Sequence, residues 1–348
     1  MIHSATRRSI PMTLALLSIN QPSLDAAIRL LPVLEDHTVD LYAKAGLSCG
    51  THTVHTYDTL DRLLPDLWAR YDGIIALMAT GALIRTIAPH LQDKTTDPAV
   101  VVLTLALDRV IPLLGGHLAG ANALAETLAR RLPGCVNFVT TATDQTRTPA
   151  LEMLAQERGW TIRNLHALAS VSNRLLNGQK VTVAAPEGVF GSLPQRERFV
   201  RVDYEAATSD AVVIAPHIVS EALTLQPPLT LGIGCNRGTR LEAFEAALET
   251  FLARHRLEIS QIGRLASFAA KADEAGLLAF ADRHGWEITF FDAETIHRLR
   301  GDFSPSAAER FFDLPGVAEP SAVLGSTYRD LIIPKAVYHT TITIAGAI

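Results

Sequence analysis

The chain has 348 residues, of which 48% are hydrophobic and 19% are charged, and its formal net charge is −5. This length predicts two or three α/β units, and this composition excludes a disordered or fibrous protein. The slightly negative charge gives no general attraction to nucleic acid or to an anionic membrane, although a local basic pocket stays compatible with it.

Cysteine usage and hydropathy predict the compartment. The three cysteines, Cys49, Cys135 and Cys235, are widely spaced in the sequence, which argues against a disulfide framework and a structural zinc site. The apolar run at residues 12–19 has no small-residue cleavage site after it, so we predict a buried strand there and no signal peptide. No apolar window reaches the length of about eighteen residues that a membrane helix requires. We therefore expect a cytoplasmic protein.

Short apolar runs alternate with helical patterns along the N-terminal part, which predicts α/β layering. The predicted elements are a strand at 12–19, a helix at 24–31, a strand at 39–42, a helix at 60–71, a buried strand at 73–78, a short helix at 81–88 capped by Thr80, and a helix at 121–132. The runs at 100–105 and 110–114 fit an antiparallel hairpin. Pro112 places the second of these strands at a sheet edge.

The rest of the chain is predicted as a small middle segment and a further α/β unit. The middle segment contains a helix at 151–158 and strands at 181–184 and 211–215, and Pro227 and Pro228 mark a linker after it. Beyond the linker we predict a strand at 229–233, a helix and a closing strand at 341–344. One face of that helix is apolar and consists of Leu241, Phe244, Leu248, Phe251 and Leu252. The predicted fold is two open α/β sandwich units joined by the middle segment, with domains 1–135, 136–226 and 227–348.

The strongest local signal is the glycine-rich stretch at 232–239, between a predicted strand and a predicted helix. Thr239 and Glu242 fit a capping box, and the first-turn N–H groups of such a helix can bind a carboxylate or phosphate. Neither nucleotide fingerprint fits, because Arg237 stands where a dinucleotide site needs glycine and Arg237-Gly238 stands where a phosphate loop needs Gly-Lys. The alternative is a tight, purely structural turn.

A second glycine-rich turn, at 115–122, lies between another predicted strand and helix. Its His117 could act as an acid or base near neutral pH, and Asn122 could cap the helix or orient a ligand. The alternative is a structural turn. Arg85 follows the predicted strand at 73–78, and Lys94 precedes the predicted strand at 100–105. If the turn at 115–122, Arg85 and Lys94 share one sheet edge, they form a cleft at the carboxyl ends of the strands. The alternative for the two cations is solvated surface charge.

A third cluster, Lys271-Ala272-Asp273-Glu274, lies in the C-terminal part. Lys271 could bind a substrate carboxylate, whereas Asp273 or Glu274 is predicted to cap the next helix. His52 and His55 have the spacing of metal ligands, but no third ligand accompanies them, so no protein metal site is predicted. No nucleophile elbow or Ser/His/Asp set can be assembled from the spacing.

Together these segments resemble the cobalt-precorrin-5A hydrolase family of the oxygen-independent cobalamin pathway. The resemblance covers nearly the whole chain, although Asn236 stands where a basic residue is common in the family. The segments that carry it are 80–85, 94–101, 116–122, 143–144, 171–173, 176–178, 232–239, 271–274, 316–319 and 334–335. Each segment is modest alone, and their occurrence in this order is specific.

The resemblance implies hydrolysis of the δ-lactone of cobalt-precorrin-5A, with release of acetaldehyde to give cobalt-precorrin-5B. The cobalt then belongs to the substrate, and no cofactor bound by the protein is expected. Because the substrate carries many acidic side chains, basic groups and helix N-termini are expected to bind it. His117 is the predicted general base, and backbone N–H groups at 115–117 or 235–238 are predicted to stabilise the oxyanion. The predicted substrate-binding residues are Arg85, Lys94, Gly115, Gly116, Asn122, Gly234, Cys235, Asn236, Arg237, Gly238, Thr239, Lys271 and Glu274.

Two other functions are compatible with the sequence. A non-catalytic corrinoid or tetrapyrrole carrier would bind the same molecule without releasing acetaldehyde. A phosphate- or nucleotide-dependent enzyme would use the turn at 232–239. The expected partners are a cobalt-corrinoid substrate and, transiently, neighbouring corrin pathway enzymes. No basic stripe or motif for nucleic-acid binding is present, and no membrane partner is expected.

Overall fold

The computed structural model describes residues 11–94, 96–140, 148–217, 220–305, 314–339 and 341–348. Two compact units divide the chain, an N-terminal unit at Met1–Arg147 and a C-terminal unit at Thr148–Ile348. Mixed β-sheets with helices against them make up the described part of both units, which confirms the predicted α/β class. Two parts of the resemblance lie outside the described residues, the segment at 143–144 and Thr95 of the segment at 94–101.

In the N-terminal unit, the described strands form one seven-stranded sheet. Its elements are β1 (Thr13–Ser18), α1 (Gln21–Leu30), β2 (Thr38–Lys44), β3 (His55–Tyr57), α2 (Leu60–Arg70), β4 (Gly73–Leu77), α3 (Thr80–Ile87), β5 (Ala99–Leu103), β6 (Arg109–Leu114), α4 (Ala121–Arg131) and β7 (Val136–Asn137). The strand order is β3-β2-β1-β4-β5-β6-β7. Strand β4 is buried along its whole length, which explains its unbroken apolar sequence.

The predicted antiparallel hairpin of the runs at 100–105 and 110–114 is confirmed, but the predicted position of its second strand at a sheet edge is wrong. Strands β5 and β6 are antiparallel, and β6 lies between β5 and β7. Strand β7 pairs only with Arg109 and Val110. Pro112 therefore lies beyond that short ladder, where the missing N–H of proline costs no inter-strand hydrogen bond.

Two helix starts differ from their predictions because the local capping differs. Helix α1 begins earlier than predicted, since Asn20 and Ser23 form a reciprocal capping box and Pro22 fits the first turn. Helix α3 begins at Thr80 itself, with Ala79 at the N-cap position and no side-chain cap. The predicted cap by Thr80 is therefore wrong.

The C-terminal unit contains two sheets in its described part. Its elements are α5 (Leu151–Glu157), β8 (Thr161–Arg163), α6 (Leu168–Leu176), β9 (Val181–Ala184), α7 (Glu187–Gly191), β10 (Phe199–Val202), β11 (Val212–Ile214), β12 (Leu223–Gln226), β13 (Leu229–Cys235), α8 (Leu241–His255), β14 (Ile262–Phe268), α9 (Ala275–His284), β15 (Ile288–Phe291), α10 (Ala293–Arg298), α11 (Ala318–Gly325), β16 (Leu331–Tyr338) and β17 (Ile342–Ala347). The sheet orders are β10-β9-β11-β12-β8 and β15-β14-β13-β17-β16.

We call the sheet of β13 to β17 the C-terminal sheet. Helices α8 and α9 cover it through large buried side chains. Phe244 of α8 stacks on Phe280 of α9 with 5.6 Å between ring centroids. The predicted apolar face of α8 is confirmed at its centre, since Phe244, Leu248 and Phe251 are buried, whereas Leu241 and Leu252 are half-buried. Strands β13, β14 and β15 are parallel, so their carboxyl ends lie at the same edge of this sheet.

A carboxylate joins the two sheets of the C-terminal unit. Asp330 accepts hydrogen bonds from the N–H groups of Gly188 (3.1 Å) and Val189 (2.9 Å), in the first turn of α7. A Cβ at Gly188 would lie 2.4 Å from the carbonyl oxygen of Tyr328, so only glycine fits there without movement. The start of α7 is thus fixed against the segment that leads into β16.

We expect Asp330→Ala to destabilise the C-terminal unit by about 1–3 kcal/mol, because two half-buried N–H groups lose their acceptor. Urea unfolding of the full chain measures this loss. Asp282→Ala is the control, since Asp282 is exposed on α9. Equal stability of the two variants would show that the Asp330 contacts do not hold the sheets together.

Candidate functional site

The carboxyl edge of the C-terminal sheet brings together side chains from two loops. Cys235 is the last residue of β13 and Arg237 lies in the turn after it, whereas Lys271 and Glu274 follow β14. We call these four residues the edge cluster. Two of its members are cations, and the carboxyl edge of parallel strands is where α/β sheets commonly bind ligands.

Glu274 fixes the turn that carries Arg237. Its Oε1 accepts a 2.6 Å hydrogen bond from the N–H of Gly238, and the side chain is only 5% exposed. Its Oε2 has no hydrogen-bond partner among the described residues and lies 4.0 Å from Nζ of Lys271. Glu274 occupies the N-cap position of α9 as predicted, but its side chain makes no capping hydrogen bond there. That side chain contacts the turn after β13 instead.

Arg237 is an exposed cation held in place by two acceptors. Nη1 donates to Oδ1 of Asp273 at 2.8 Å, and Nη2 donates to the carbonyl oxygen of Ala270 at 3.0 Å. The hydrogen bond from Arg237 holds the pKa of the Asp273 carboxyl below its ordinary value. A guanidinium has five N–H donors, so Arg237 keeps donors for a ligand carboxylate. The helix-capping alternative for Asp273 is therefore wrong.

The predicted capping box of Thr239 and Glu242 is wrong. Helix α8 begins at Leu241 after Arg240, and the N-cap position has no side-chain cap. Thr239 Oγ1 donates instead to the carbonyl oxygen of Asn236 at 2.8 Å, which closes the turn. Gly238 has a φ of 75°, which favours glycine.

The space beside two glycines of β13 is filled by the protein itself. A Cβ at Gly232 would lie 1.8 Å from the carbonyl oxygen of Ala318 in α11, and one at Gly234 would lie 2.5 Å from Oγ1 of Thr343 in β17. These glycines let a helix and a strand approach β13 closely. Close packing of the protein's own elements therefore accounts for both glycines.

Two features of the turn argue against phosphate binding. The N–H of Gly238 already donates to the carboxylate of Glu274. A phosphate at this turn would meet that buried negative charge.

Cys235 does not have the properties of a nucleophile. Burial raises the pKa of its thiol to about 11, so the thiol stays protonated near neutral pH.

The motifs at 316–319 and 334–335 meet around one buried carboxylate. Oε1 of Glu319 accepts from the N–H of Lys335 at 3.0 Å, and Oε2 accepts from the N–H of Ser304 at 2.7 Å. Burial alone would raise the pKa of Glu319, but these hydrogen bonds lower it below its ordinary value. Lys335 Nζ donates to the carbonyl oxygen of Ser304 at 2.7 Å. These motif residues therefore anchor the segment at Ser304.

In the N-terminal unit, the second glycine-rich turn is closed by its own backbone. Gly115 accepts from the N–H of Ala121 at 3.1 Å, and Gly116 accepts from the N–H of Asn122 at 2.9 Å. Gly115 has a φ of 70°, where a side chain would be strained. His117 is half-buried within this turn. Asn122 is not the helix cap, because α4 begins at Ala121 and Gly120 occupies the N-cap position.

The predicted cleft that joins three places at one sheet edge is wrong. Because β6 runs antiparallel to β5, the turn that follows β6 lies at the amino end of β5, where Gly115 approaches Pro98 and Ala99. The loop that carries Lys94 precedes β5 and lies at the same edge. The turn after β4 lies at the opposite edge, and Arg85 Nη1 folds back to the carbonyl oxygen of Gly81 at 2.8 Å.

A buried aspartate that the sequence analysis did not single out fixes the loop that carries Lys94. Asp97 is only 7% exposed and accepts from Nε1 of Trp68 at 3.2 Å and from the N–H of Gln92 at 3.1 Å. Lys94 itself is exposed. The signal in the sequence was the acid directly before Pro98, at the start of a buried strand.

The two histidines with metal-ligand spacing lie in the N-terminal unit. His55 stacks on Tyr42 with 5.0 Å between ring centroids and lies 3.8 Å from Oδ1 of Asp40. Within the described ranges, no group of three or more His, Cys, Asp or Glu side chains is placed to hold a metal ion. Among the helices described above, none is long and apolar enough to cross a membrane.

Comparison with known proteins gives the family of the chain. Three family models match it in order: the cobalamin synthesis G N-terminal region at residues 62–144, the cobalamin biosynthesis central region at 149–227 and the cobalamin synthesis G C-terminus at 229–347. Together these matches cover most of the sequence.

Curated relatives agree with these matches. The cobalt-precorrin-5A hydrolase of Priestia megaterium is 29% identical over 81% of this chain and 80% of its own length. The cobalt-precorrin-5A hydrolase of Salmonella typhimurium is 29% identical over 75% of this chain and 80% of its own length. A protein named CobE from Sinorhizobium is 30% identical over 34% of this chain and 79% of its own length. The chain therefore belongs to the cobalamin synthesis G family, which is the family of the cobalt-precorrin-5A hydrolases.

Proposed function

We propose that this protein is a cobalt-precorrin-5A hydrolase, which opens the δ-lactone of its substrate and releases acetaldehyde to give cobalt-precorrin-5B in cobalamin biosynthesis. The ordered match of all three family regions along the chain carries this proposal. It is supported by two relatives of that name that are 29% identical over 80% of their own lengths.

The edge cluster supplies cations for an acidic substrate. Arg237 is braced by Asp273 and Ala270, so its side chain loses little further entropy when it binds a carboxylate. Lys271 is mostly buried beside Glu274, and its ammonium group adds positive charge at the same edge. Lys94, in the N-terminal unit, is a further cation for the periphery of the substrate. Arg85 lies at the edge of the N-terminal sheet opposite to His117. We therefore propose that it contacts a part of the substrate distant from His117.

His117 is the proposed general base. An imidazole can accept a proton from water near neutral pH, and the resulting hydroxide attacks the lactone carbonyl carbon. The ring C–O bond then breaks, which leaves a carboxylate and an alcohol. Backbone N–H groups of the turn around Gly116 are the proposed oxyanion donors.

Acetaldehyde leaves in a second step. The alcohol loses its proton, its oxygen forms the carbonyl of acetaldehyde, and the carbon–carbon bond to the macrocycle breaks. The electron pair of that bond passes into the conjugated macrocycle, which later takes up a proton. Cobalt arrives with the substrate and helps to hold this charge, so the proposal includes no cofactor of the protein's own.

We also propose that the protein is cytoplasmic and that it contacts neighbouring corrin pathway enzymes transiently when the corrinoid passes between them. The three cysteines are free, as is typical of proteins from a reducing compartment.

We expect Arg237→Gln to raise KM for cobalt-precorrin-5A about tenfold with little change in kcat, because one charge-assisted contact to a substrate carboxylate is lost. Steady-state kinetics of acetaldehyde release measures this. Arg283→Gln is a matched control, since Arg237 and Arg283 are both 62% exposed and both pair with a carboxylate. An unchanged KM in Arg237→Gln would remove the edge cluster from substrate binding.

A further inference from the structure

A cavity of about 530 Å³ lies in the C-terminal unit, away from the edge cluster. It is lined by the end of α10, the end of α11 and the residue Arg329. Helix α11 approaches the carboxyl edge of the sheet near Val317, whereas its last residue, Gly325, packs against Ala266 and Thr230. The cavity therefore lies toward the amino ends of the parallel strands. Its volume falls within the range of roughly 300–1,000 Å³ that is usual for ligand sites.

The lining combines an apolar floor with cationic walls. Leu299, Val323 and Leu324 supply apolar surface, and three arginines line the same cavity, Arg298, Arg300 and Arg329. Arg298 pairs with Glu294 on its own helix. In the part of the chain that is described, neither Arg300 nor Arg329 has a carboxylate at ion-pair distance. Two arginines that have no carboxylate partner among the described residues and line one concave surface attract an anion.

The backbone at Arg329 has an uncommon conformation. Its φ is 60°, in the left-handed region that favours glycine. The N–H of Arg329 donates to Oγ of Ser326 at 3.2 Å, so the strained residue is held by a local contact. Arg329 therefore lies in a turn that this hydrogen bond holds.

We propose that this cavity binds an organic acid that carries at least two carboxylates on an apolar body. The carboxylates pair with Arg300 and Arg329, because a guanidinium binds a carboxylate through two parallel hydrogen bonds. The apolar body rests on the leucine and valine side chains. Such carboxylates belong either to a free organic acid or to the acidic side chains at the rim of a tetrapyrrole.

Calorimetric titration of the full chain with naphthalene-2,6-dicarboxylate tests the site without any need for turnover. The dicarboxylate is expected to bind about tenfold or more tightly than 2-naphthoate, which has one carboxylate. R300Q/R329Q is expected to lose about a hundredfold in affinity, and R283Q, on the opposite face of the sheet, is expected to lose none. Equal affinity of R300Q/R329Q and the unchanged protein, or no binding at millimolar dicarboxylate, would overturn the proposal.

Kinetics of acetaldehyde release then distinguishes the two sources. If the carboxylates belong to the tetrapyrrole, R300Q/R329Q raises KM for cobalt-precorrin-5A as well. If they belong to a free organic acid, KM is unchanged and the dicarboxylate still binds. Both results uphold the site. The calorimetric titration needs no turnover, so a failure of this site can be distinguished from a failure of the proposed hydrolase function.

Discussion

His117→Ala is expected to lower kcat for acetaldehyde release by about 10²–10⁴, because a positioned general base contributes rate of this size. The histidine lies in a turn closed by the hydrogen bonds of Gly115 and Gly116, so its side chain is presented by a well-defined backbone. Substrate binding should be nearly unchanged, since the cations that bind the acidic side chains are intact. Single-turnover kinetics and an equilibrium titration with the same substrate measure the two quantities separately.

His52→Ala is the control for this variant, because His52 is an exposed histidine of the same unit. The kcat of that control should match the unchanged protein. Loss of binding with retained turnover in His117→Ala would assign the base to another residue. A kcat unchanged by both substitutions would do the same.

Gly232→Ala is expected to destabilise the C-terminal unit by about 3 kcal/mol or more, at the upper end of overpacking effects. The added methyl group would lie 1.8 Å from the carbonyl oxygen of Ala318 and 2.6 Å from the backbone nitrogen of Ala322. Both atoms belong to the backbone of α11, so the whole helix must move away from β13. For a unit of this size the midpoint of thermal unfolding should fall by roughly 6 °C or more.

Gly191→Ala is the matched control, because no atom lies within 4 Å of the position that its Cβ would occupy. This variant should be as stable as the unchanged protein or slightly more stable, since alanine loses less backbone entropy than glycine. Thermal unfolding of both variants measures the contrast. Similar midpoints for Gly232→Ala and the unchanged protein would mean that α11 does not pack on β13 as described.

The fold was predictable where periodicity reports burial directly. The apolar run that became β4 and the apolar face of α8 around Phe251 were both recognised, since their side chains are buried. Capping was less predictable. Thr239 has the residue type of a helix cap, but helix α8 begins one residue later than such a cap implies, and the hydroxyl of Thr239 donates to Asn236 instead.

The arrangement of the candidate residues was not predictable from the sequence pattern. The antiparallel hairpin was predicted, yet its consequence is that the turn at Gly115 and the turn at Gly81 lie at opposite sheet edges. Glu274 contacts Gly238, 36 residues away in the sequence, and no local pattern encodes that contact. Long-range hydrogen bonds of this kind depend on strand order, which the sequence pattern alone does not specify.

Acetaldehyde release from cobalt-precorrin-5A is the measurement that tests the central claim most directly. The purified protein is incubated with the enzymatically prepared substrate, and acetaldehyde and the mass of the macrocycle are followed together. We predict acetaldehyde release that depends on the protein, with loss of the matching mass from the macrocycle. Substrate that is bound but unchanged, with no acetaldehyde, would contradict the hydrolase function and favour a corrinoid carrier.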